Sequence, residues 1–149
     1  DTDDKSIVEW AIDRTGMTKL QSRKINALSG GERQRARIAM AIAQKPEIML
    51  LDEPTTYLDI AHQLEIMELV AALNREEGIT VVMVLHDMNH AARYSDELIL
   101  LNNSKIHTIG APRELIENGE LENVFRVEAE ILSDSEDNSP VFYAKRMKQ

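Results

Sequence analysis

The sequence is poor in several residue types, and each shortage narrows the classes of protein to which it can belong. It contains no cysteine, so disulfides, thiolate metal sites and cysteine nucleophiles are excluded. Aromatic residues make up 4% of the 149 residues, and no apolar run approaches the ~20 residues of a membrane-spanning helix. Acidic residues outnumber basic ones by 26 to 17. The resulting net charge of −9 disfavours nucleic-acid binding, because phosphate contacts need cations.

What remains is the composition of a globular α/β chain. Hydrophobic residues account for 43% and charged residues for 29%, both near globular averages. Two apolar runs, 48–51 and 80–85, have the length of strands and flank a predicted helix over 62–76. This order predicts a right-handed crossover between parallel strands. Since the runs are apolar at nearly every position, both faces of each strand are expected to be covered.

Further helices and hairpins are predicted around this unit from periodicity and from Gly and Pro positions. Helices are expected at 3–15, 30–45, 87–94, 112–119 and 121–125. The segment 18–28 is polar and broken, with room for one short helical turn. Strands are expected at 97–101, 105–109, 127–132 and 141–145, the first two joined as a hairpin. The acidic segment 133–140 is predicted to be a solvated loop.

The segment 28–32, Leu-Ser-Gly-Gly-Glu, combines a helix start with two adjacent glycines. Ser29 and Glu32 fit a capping box, in which the side chain of each binds the backbone N–H of the other. Gly30 and Gly31 leave N–H groups uncovered at the positive end of the helix dipole, an arrangement that suits a phosphate. A capped helix without a ligand is the simpler interpretation.

Two predicted strands end in side chains that can do chemistry. Asp52 and Glu53 follow the first strand, and His86 follows the second. Because ligands of parallel sheets bind beyond the carboxyl ends of the strands, the three are expected at one sheet edge. There a carboxylate can hold Mg²⁺ or act as a general base, and a histidine can hydrogen-bond a phosphoryl group. The simpler alternatives are solvated acids and a helix-capping histidine, and Asp59 by itself indicates only a helix cap.

Taken together, these strings resemble the ATP-binding subunits of ABC transporters. Leu28–Glu32 resembles the signature motif, and Leu50–Pro54 resembles Walker B with its catalytic glutamate. Leu58-Asp59 resembles the D-loop, and His86 resembles the switch histidine. The stretches 52–60 and 84–94 look like importers of the iron-siderophore, haem or cobalamin type. The resemblance implies an α/β chain with a partial P-loop NTPase fold: parallel strands with helices, small C-terminal strands, and the N-terminal part of the fold missing.

The resemblance also implies a role for each matching residue. Glu53 would be the general base for the hydrolytic water, His86 would contact the γ-phosphate, and Asp52 would bind Mg²⁺ mainly through water. The nucleotide-binding residues would be Ser29, Gly30, Gly31, Glu32 and Asp59. The first three would hold the γ-phosphate of ATP seated on an opposite subunit, and Asp59 would communicate across that interface.

The resemblance further implies partners and a location. The partners would be a second ATPase subunit, arranged head to tail, and integral membrane permease subunits. The protein would be peripheral on the cytoplasmic face of the cell membrane and would power import of an iron(III)-siderophore or related chelate.

The phosphate-cradling loop of the family, G-x-x-x-x-G-K-[ST], does not occur, since none of the six glycines is followed by Lys and then Ser or Thr. We therefore expect the C-terminal part of an ATPase subunit. Residues 1–45 would be part of its helical subdomain, 46–110 part of its catalytic core, and 111–149 its C-terminal helices and strands. Such a piece is expected to be inactive alone and to self-associate through uncovered strands.

Other interpretations stay open at this point. One is a soluble ABC-type ATPase that is not tied to transport, and another is a non-catalytic interaction module that keeps the signature segment. A metal site at His86 and His90 would require one helix to include both. His62 and His107 are interpreted as isolated surface residues, and Trp10 as a packing or subunit-contact residue.

Overall fold

The chain divides into two structural units, one ending at Leu85 and the other beginning at His86. The computed structural model describes residues 2–148. The first unit contains α1 (Thr2–Arg14), α2 (Gly30–Ile42), β1 (Ile48–Asp52), α3 (Ile60–Glu77) and β2 (Thr80–Val84). The segment between α1 and α2 forms two short 3₁₀ turns, Thr18–Leu20 and Ile25–Ala27, where one was expected.

β1 and β2 are parallel and connected through α3, as predicted. Their register runs from Ile48 opposite Thr80 to Asp52 opposite Val84. Gly78 ends α3 in the left-handed conformation, with φ of 69°, which glycine adopts without steric cost. Because β1 and β2 are parallel, their carboxyl ends lie at one edge of this sheet.

Only one face of the β1–β2 sheet is covered within the described residues, as expected of strands that a partial fold leaves uncovered, although the apolar runs by themselves indicate cover on both faces. Met49 is 3% exposed, whereas its neighbour Leu50 is 74% exposed. The covered face contributes to the buried core of Ala11, Ile38, Ile42, Met49, Ile66, Val70, Leu73 and Ile79. Trp10 packs against this core, as its interpretation as a packing residue predicts. The other face exposes Ile48, Leu50, Val82 and Val84.

The second unit consists of short helices and two hairpins. Its elements are α4 (Met88–Tyr94), β3 (Leu98–Asn102), β4 (Lys105–Gly110), α5 (Pro112–Glu117), α6 (Glu120–Phe125), β5 (Val127–Ser133) and β6 (Pro140–Met147). β3 pairs with β4 and β5 pairs with β6, both antiparallel, which confirms the predicted hairpin and the two C-terminal strands. Pro112 occupies the first turn of α5, where its missing N–H has no cost.

One side-chain amide ties the two ends of this unit together. The Asn89 side chain donates to the Phe142 carbonyl at 3.3 Å and accepts from the Phe142 N–H at 2.8 Å. It thus pairs with β6 as a neighbouring strand would, and it fixes α4 against the C-terminal hairpin. Buried side chains of the unit include Ala91, Ala92, Leu98, Leu100, Leu115, Ile116, Leu121 and Phe142.

The exposed sheet face leads us to expect self-association of the 149-residue chain. Burial of exposed apolar surface is favourable, and unpaired strand edges recruit further strands. Leu50→Lys, at a side chain 74% exposed, is expected to shift the chain toward monomer without loss of stability. Met49→Lys, on the covered face of the same strand, is the control and should unfold the chain. Size-exclusion chromatography with light scattering measures both, and a monomeric unsubstituted chain at micromolar concentration would contradict the prediction.

Candidate functional site

The signature segment, residues 28–32, forms the predicted capping box at the start of α2. Ser29 Oγ accepts from the Glu32 N–H at 3.2 Å, and Glu32 Oε2 accepts from the Ser29 N–H at 2.7 Å. The bond from the Ser29 backbone is the main reason that the pKa of Glu32 lies below its ordinary value. The Arg33 guanidinium donates to the Leu28 carbonyl at 2.7 Å and fixes the chain entering the turn.

The two glycines of the signature segment pack closely against the start of α3 and the loop before it. A Cβ atom added to Gly31 would lie 2.5 Å from His62 Cδ2, and one added to Gly30 would lie 3.2 Å from Leu58 Cδ2. Close packing therefore explains the need for glycine at 31, a reason that the sequence does not reveal. Gly30 and Gly31 also belong to the first helical turn, whose N–H groups have no acceptor within the helix. Ser29 and Gly30 are exposed, so this helix start fits an anionic group such as a phosphate.

The strand-end carboxylates occupy a tight turn. Asp52 is the last residue of β1 and is exposed. Glu53, directly after it, is half-buried and has a φ of 47°, a left-handed conformation that is strained for a residue with a Cβ atom. Thr56 holds the turn, because its hydroxyl donates to Glu53 Oε2 at 3.0 Å and its N–H donates to the Glu53 carbonyl at 3.2 Å. The Glu53 carboxylate is thus oriented by its own loop.

Gln63 fastens the same loop to α3, and sequence reasoning missed it. Its side-chain amide donates to the Leu58 carbonyl at 3.0 Å and lies 3.4 Å from the Thr55 carbonyl. A glutamine in the first turn of a capped helix, directly after the loop that follows the strand-end carboxylates, is the signal that could have identified it. These two contacts bind the loop 53–58 to the first turn of α3.

Asp59, in the segment that resembles a D-loop, is the N-cap of α3, which confirms the interpretation as a helix cap. Its Oδ1 accepts from the His62 N–H at 2.9 Å and lies 2.7 Å from His62 Nδ1. The backbone bond first, and the ring bond second, hold the pKa of Asp59 below its ordinary value. The interpretation of His62 as isolated is therefore wrong. It is also wrong for His107, whose Nε2 lies 2.8 Å from Glu120 Oε2.

His86 opens the second unit and is exposed. β2 ends at Val84, opposite Asp52, so the chain leaves the sheet two residues before His86. The helix-capping interpretation of His86 is wrong, because Asp87 caps α4 by accepting from the His90 N–H at 2.8 Å. Since α4 begins at Met88, His86 and His90 do not share a helical face.

Within residues 2–148, no cluster of three or more His, Asp and Glu side chains is arranged to hold a metal ion by itself. None of the helices described is both long and apolar enough to cross a membrane.

Strain at Glu53 predicts an unusual order of stability. Glu53→Gly is expected to be more stable than Glu53→Ala by about 1 kcal/mol, because both lose the bond from Thr56 and only glycine tolerates this φ. Urea unfolding measures the difference. Glu68, exposed in the middle of α3, is the matched control. There the order should reverse, since glycine weakens a helix interior. Equal stability of the two Glu53 variants, with the expected order at Glu68, would show that Glu53 is unstrained.

The capping box predicts a specific loss of stability in acid. A carboxylate with a lowered pKa stabilises the folded chain above its unfolded pKa, and the stabilisation is lost as the pH falls through the folded pKa. Glu32→Gln keeps a capping-box side chain but does not titrate. Its free energy of unfolding should therefore decrease less between neutral pH and about pH 3 than that of the unsubstituted chain. Urea unfolding at a series of pH values tests this, and identical pH profiles would refute it.

Comparison with known proteins gives concordant matches. The ABC transporter family model matches residues 1–56. The iron(3+)-hydroxamate import ATP-binding protein FhuC of Bacillus subtilis is 50% identical over 139 residues, which are 93% of this chain and 52% of that protein. The chain spans about half the length of the curated relatives it matches.

Two solved structures carry the same fold. One is an inward-facing metal-chelate type ABC transporter, with a TM-score of 0.85 and 28% identity, covering 97% of this chain and 57% of that chain. The other is a dimeric, post-hydrolysis state of the ATP-binding cassette MJ0796 bound to ADP and Pi. Its TM-score is 0.60 at 38% identity, covering 69% of this chain and 44% of that chain. Motifs, fold and relatives agree, and the chain belongs to the family of ABC transporter ATP-binding proteins.

Proposed function

We propose that the chain is the C-terminal half of an ATP-hydrolysing subunit that powers an ABC importer of iron(III)-siderophores or related metal chelates. The observation that carries the proposal is the packing of the signature segment on Leu58 and on the start of α3, in a chain whose strand β1 ends in the carboxylates Asp52 and Glu53. The chelate substrate is supported by the iron(3+)-hydroxamate importer subunit and by the metal-chelate type transporter structure. Because both are transport proteins, they favour an importer over an ATPase that is not tied to transport.

Three residues have separate proposed roles in the hydrolysis of ATP. Bound MgATP supplies the phosphoryl group and a cation that neutralises its charge. Asp52, exposed at the end of β1, would hold Mg²⁺ mainly through water. Glu53 would accept the proton of the attacking water, with its carboxylate oriented by the Thr56 hydroxyl. His86, in the second unit, would contact the γ-phosphate.

The signature segment is proposed to act on a nucleotide held by another subunit. Ser29, Gly30 and Gly31 would bind its γ-phosphate, because they present a hydroxyl and N–H groups at the start of a 13-residue helix. Glu32 would keep this helix start capped, and Asp59 would contact the other subunit through the D-loop. A head-to-tail dimer follows from these roles, and the dimeric cassette MJ0796 supports it.

The remaining partners and the domain limits belong to the same proposal. Permease subunits in the membrane would bind the helical subdomain, to which residues 1–45 would contribute, and the subunit would lie on the cytoplasmic face. Residues 46–110 would contribute to the catalytic core, and 111–149 would be C-terminal helices and strands of the same cassette. The self-association expected of this chain would then reflect uncovered surfaces of a half cassette.

Hydrolysis of MgATP tests the proposal. The 149-residue chain should be inactive, and the same chain extended N-terminally with its native upstream sequence should hydrolyse ATP. In the extended protein, Glu53→Gln should abolish turnover and retain ATP binding, because it removes the base while keeping the size of the side chain. Glu136→Gln, an exposed acid in the loop between β5 and β6, is the control and should retain activity. Turnover by the 149-residue chain alone, or an inactive extended protein that binds no ATP, would overturn the proposal.

A further inference from the structure

The first turns of α2 and α3 meet at Gly31 and His62. A methyl group built on Gly31 would lie 2.5 Å from Cδ2 and 3.1 Å from Cγ of the His62 ring. The imidazole therefore lies directly against the Gly31 backbone. Gly31 is buried, whereas the His62 side chain remains 39% exposed. Neither the signature motif nor the D-loop motif accounts for a histidine at this place.

The same imidazole is bound to the D-loop. His62 Nδ1 lies 2.7 Å from Asp59 Oδ1, which also accepts the His62 backbone N–H at 2.9 Å. A carboxylate can only accept, so Nδ1 carries the proton of this bond. Two donors from one residue fix the ring in a single orientation relative to Asp59. The ring is thus held by the D-loop at Nδ1 and pressed on the signature segment at Cδ2.

Joining the two helices does not by itself require His62. Arg35 of α2 pairs with Glu65 of α3 one turn further along. Ile38 and Ile66 from the same two helices both belong to the buried core. What His62 adds is a direct connection from the Asp59 side chain to the backbone of Gly31.

We infer that His62 is a positioning residue that couples the D-loop carboxylate Asp59 to the signature segment at Gly31, so that the two segments move together. Displacement of Asp59 would be transmitted through the ring to the N–H groups of Gly30 and Gly31. The coupling is a property of the folded chain, and only its consequence for hydrolysis rests on the proposed function.

A double-mutant cycle tests the contact at Gly31. Gly31→Ala places a methyl group against the ring and should lower the folding equilibrium constant roughly tenfold. His62→Ala provides space for that methyl group. In the His62→Ala background, Gly31→Ala should therefore cost clearly less. Urea unfolding of the four chains measures the coupling, with His107→Ala as a control background in which the full penalty of Gly31→Ala is kept. An equal penalty in all three backgrounds would overturn the inference.

A spectroscopic test addresses the connection to Asp59 and does not depend on stability. His62→Phe keeps a ring against Gly31 but removes the Nδ1 donor. In the chain with His62, Asp59→Asn should shift the Gly31 amide resonance in ¹H–¹⁵N spectra, because it alters the bond that orients the ring. In the His62→Phe chain the same substitution should leave that resonance in place. A shift of equal size in both chains, or no shift in either, would show that His62 does not transmit the change.

ATP hydrolysis by the N-terminally extended protein tests whether the coupling through His62 affects catalysis. There His62→Phe should lower kcat by about tenfold to a hundredfold, because misplacement of positioned groups is costly. KM for ATP should change little, because the signature segment would act on a nucleotide already bound elsewhere. His62→Gln, which restores a side-chain donor, should recover part of kcat.

Unchanged kcat in His62→Phe would overturn the inference. Absence of hydrolysis by the unsubstituted extended protein would overturn the proposed function, while the two tests on the 149-residue chain would still decide the coupling.

Discussion

The close approach of two helix starts, made possible by the missing side chain of Gly31, is the contact on which the candidate site depends. Both α2 and α3 begin here, so the positive ends of two helix dipoles converge on one small region. Each end carries its own carboxylate, Glu32 on α2 and Asp59 on α3, and the pKa of each is lowered by backbone N–H donors. The first helical turn at Gly30 and Gly31 keeps N–H groups without an acceptor in the helix, which is the feature of this region that suits a phosphate.

The loop 53–59 joins this surface to the strand-end carboxylates with little freedom of its own. It starts at a strained Glu53 and ends at the cap of α3, and Thr56 and Gln63 bind it internally. A non-glycine residue persists in a left-handed conformation only where its surroundings fix it, and the bonds to Thr56 do so here. The orientation of the Glu53 carboxylate is therefore tied to the position of α3, and through His62 to the signature segment.

Local signals in the sequence are sufficient to predict most of the elements and the caps of α2 and α3. Periodicity, Gly78 and Pro112 mark the elements, and the Ser29–Glu32 pair and Asp59 act within one helical turn. The pairing of His62 with Asp59 was predictable too, since His62 lies three residues after Asp59 at the start of a helix. The contact of His62 with Gly31 was not, because it joins residues distant in the sequence, and only the packing of α2 on α3 creates it. The pairing of His107 with Glu120 depends in the same way on how separate elements pack.

The β1–β2 sheet shows where an apolar run stops being informative. A run without alternation indicates a strand buried on both faces, yet Met49 is buried and Leu50 is not. Hydrophobicity at a position reports the environment in which its side chain is stable, and it does not specify which part of an assembly provides that environment. The described residues cover one face with α3 and its neighbours, and the other keeps an apolar composition in contact with solvent. The mismatch between composition and exposure is the physical reason to expect that this chain associates with further protein surface.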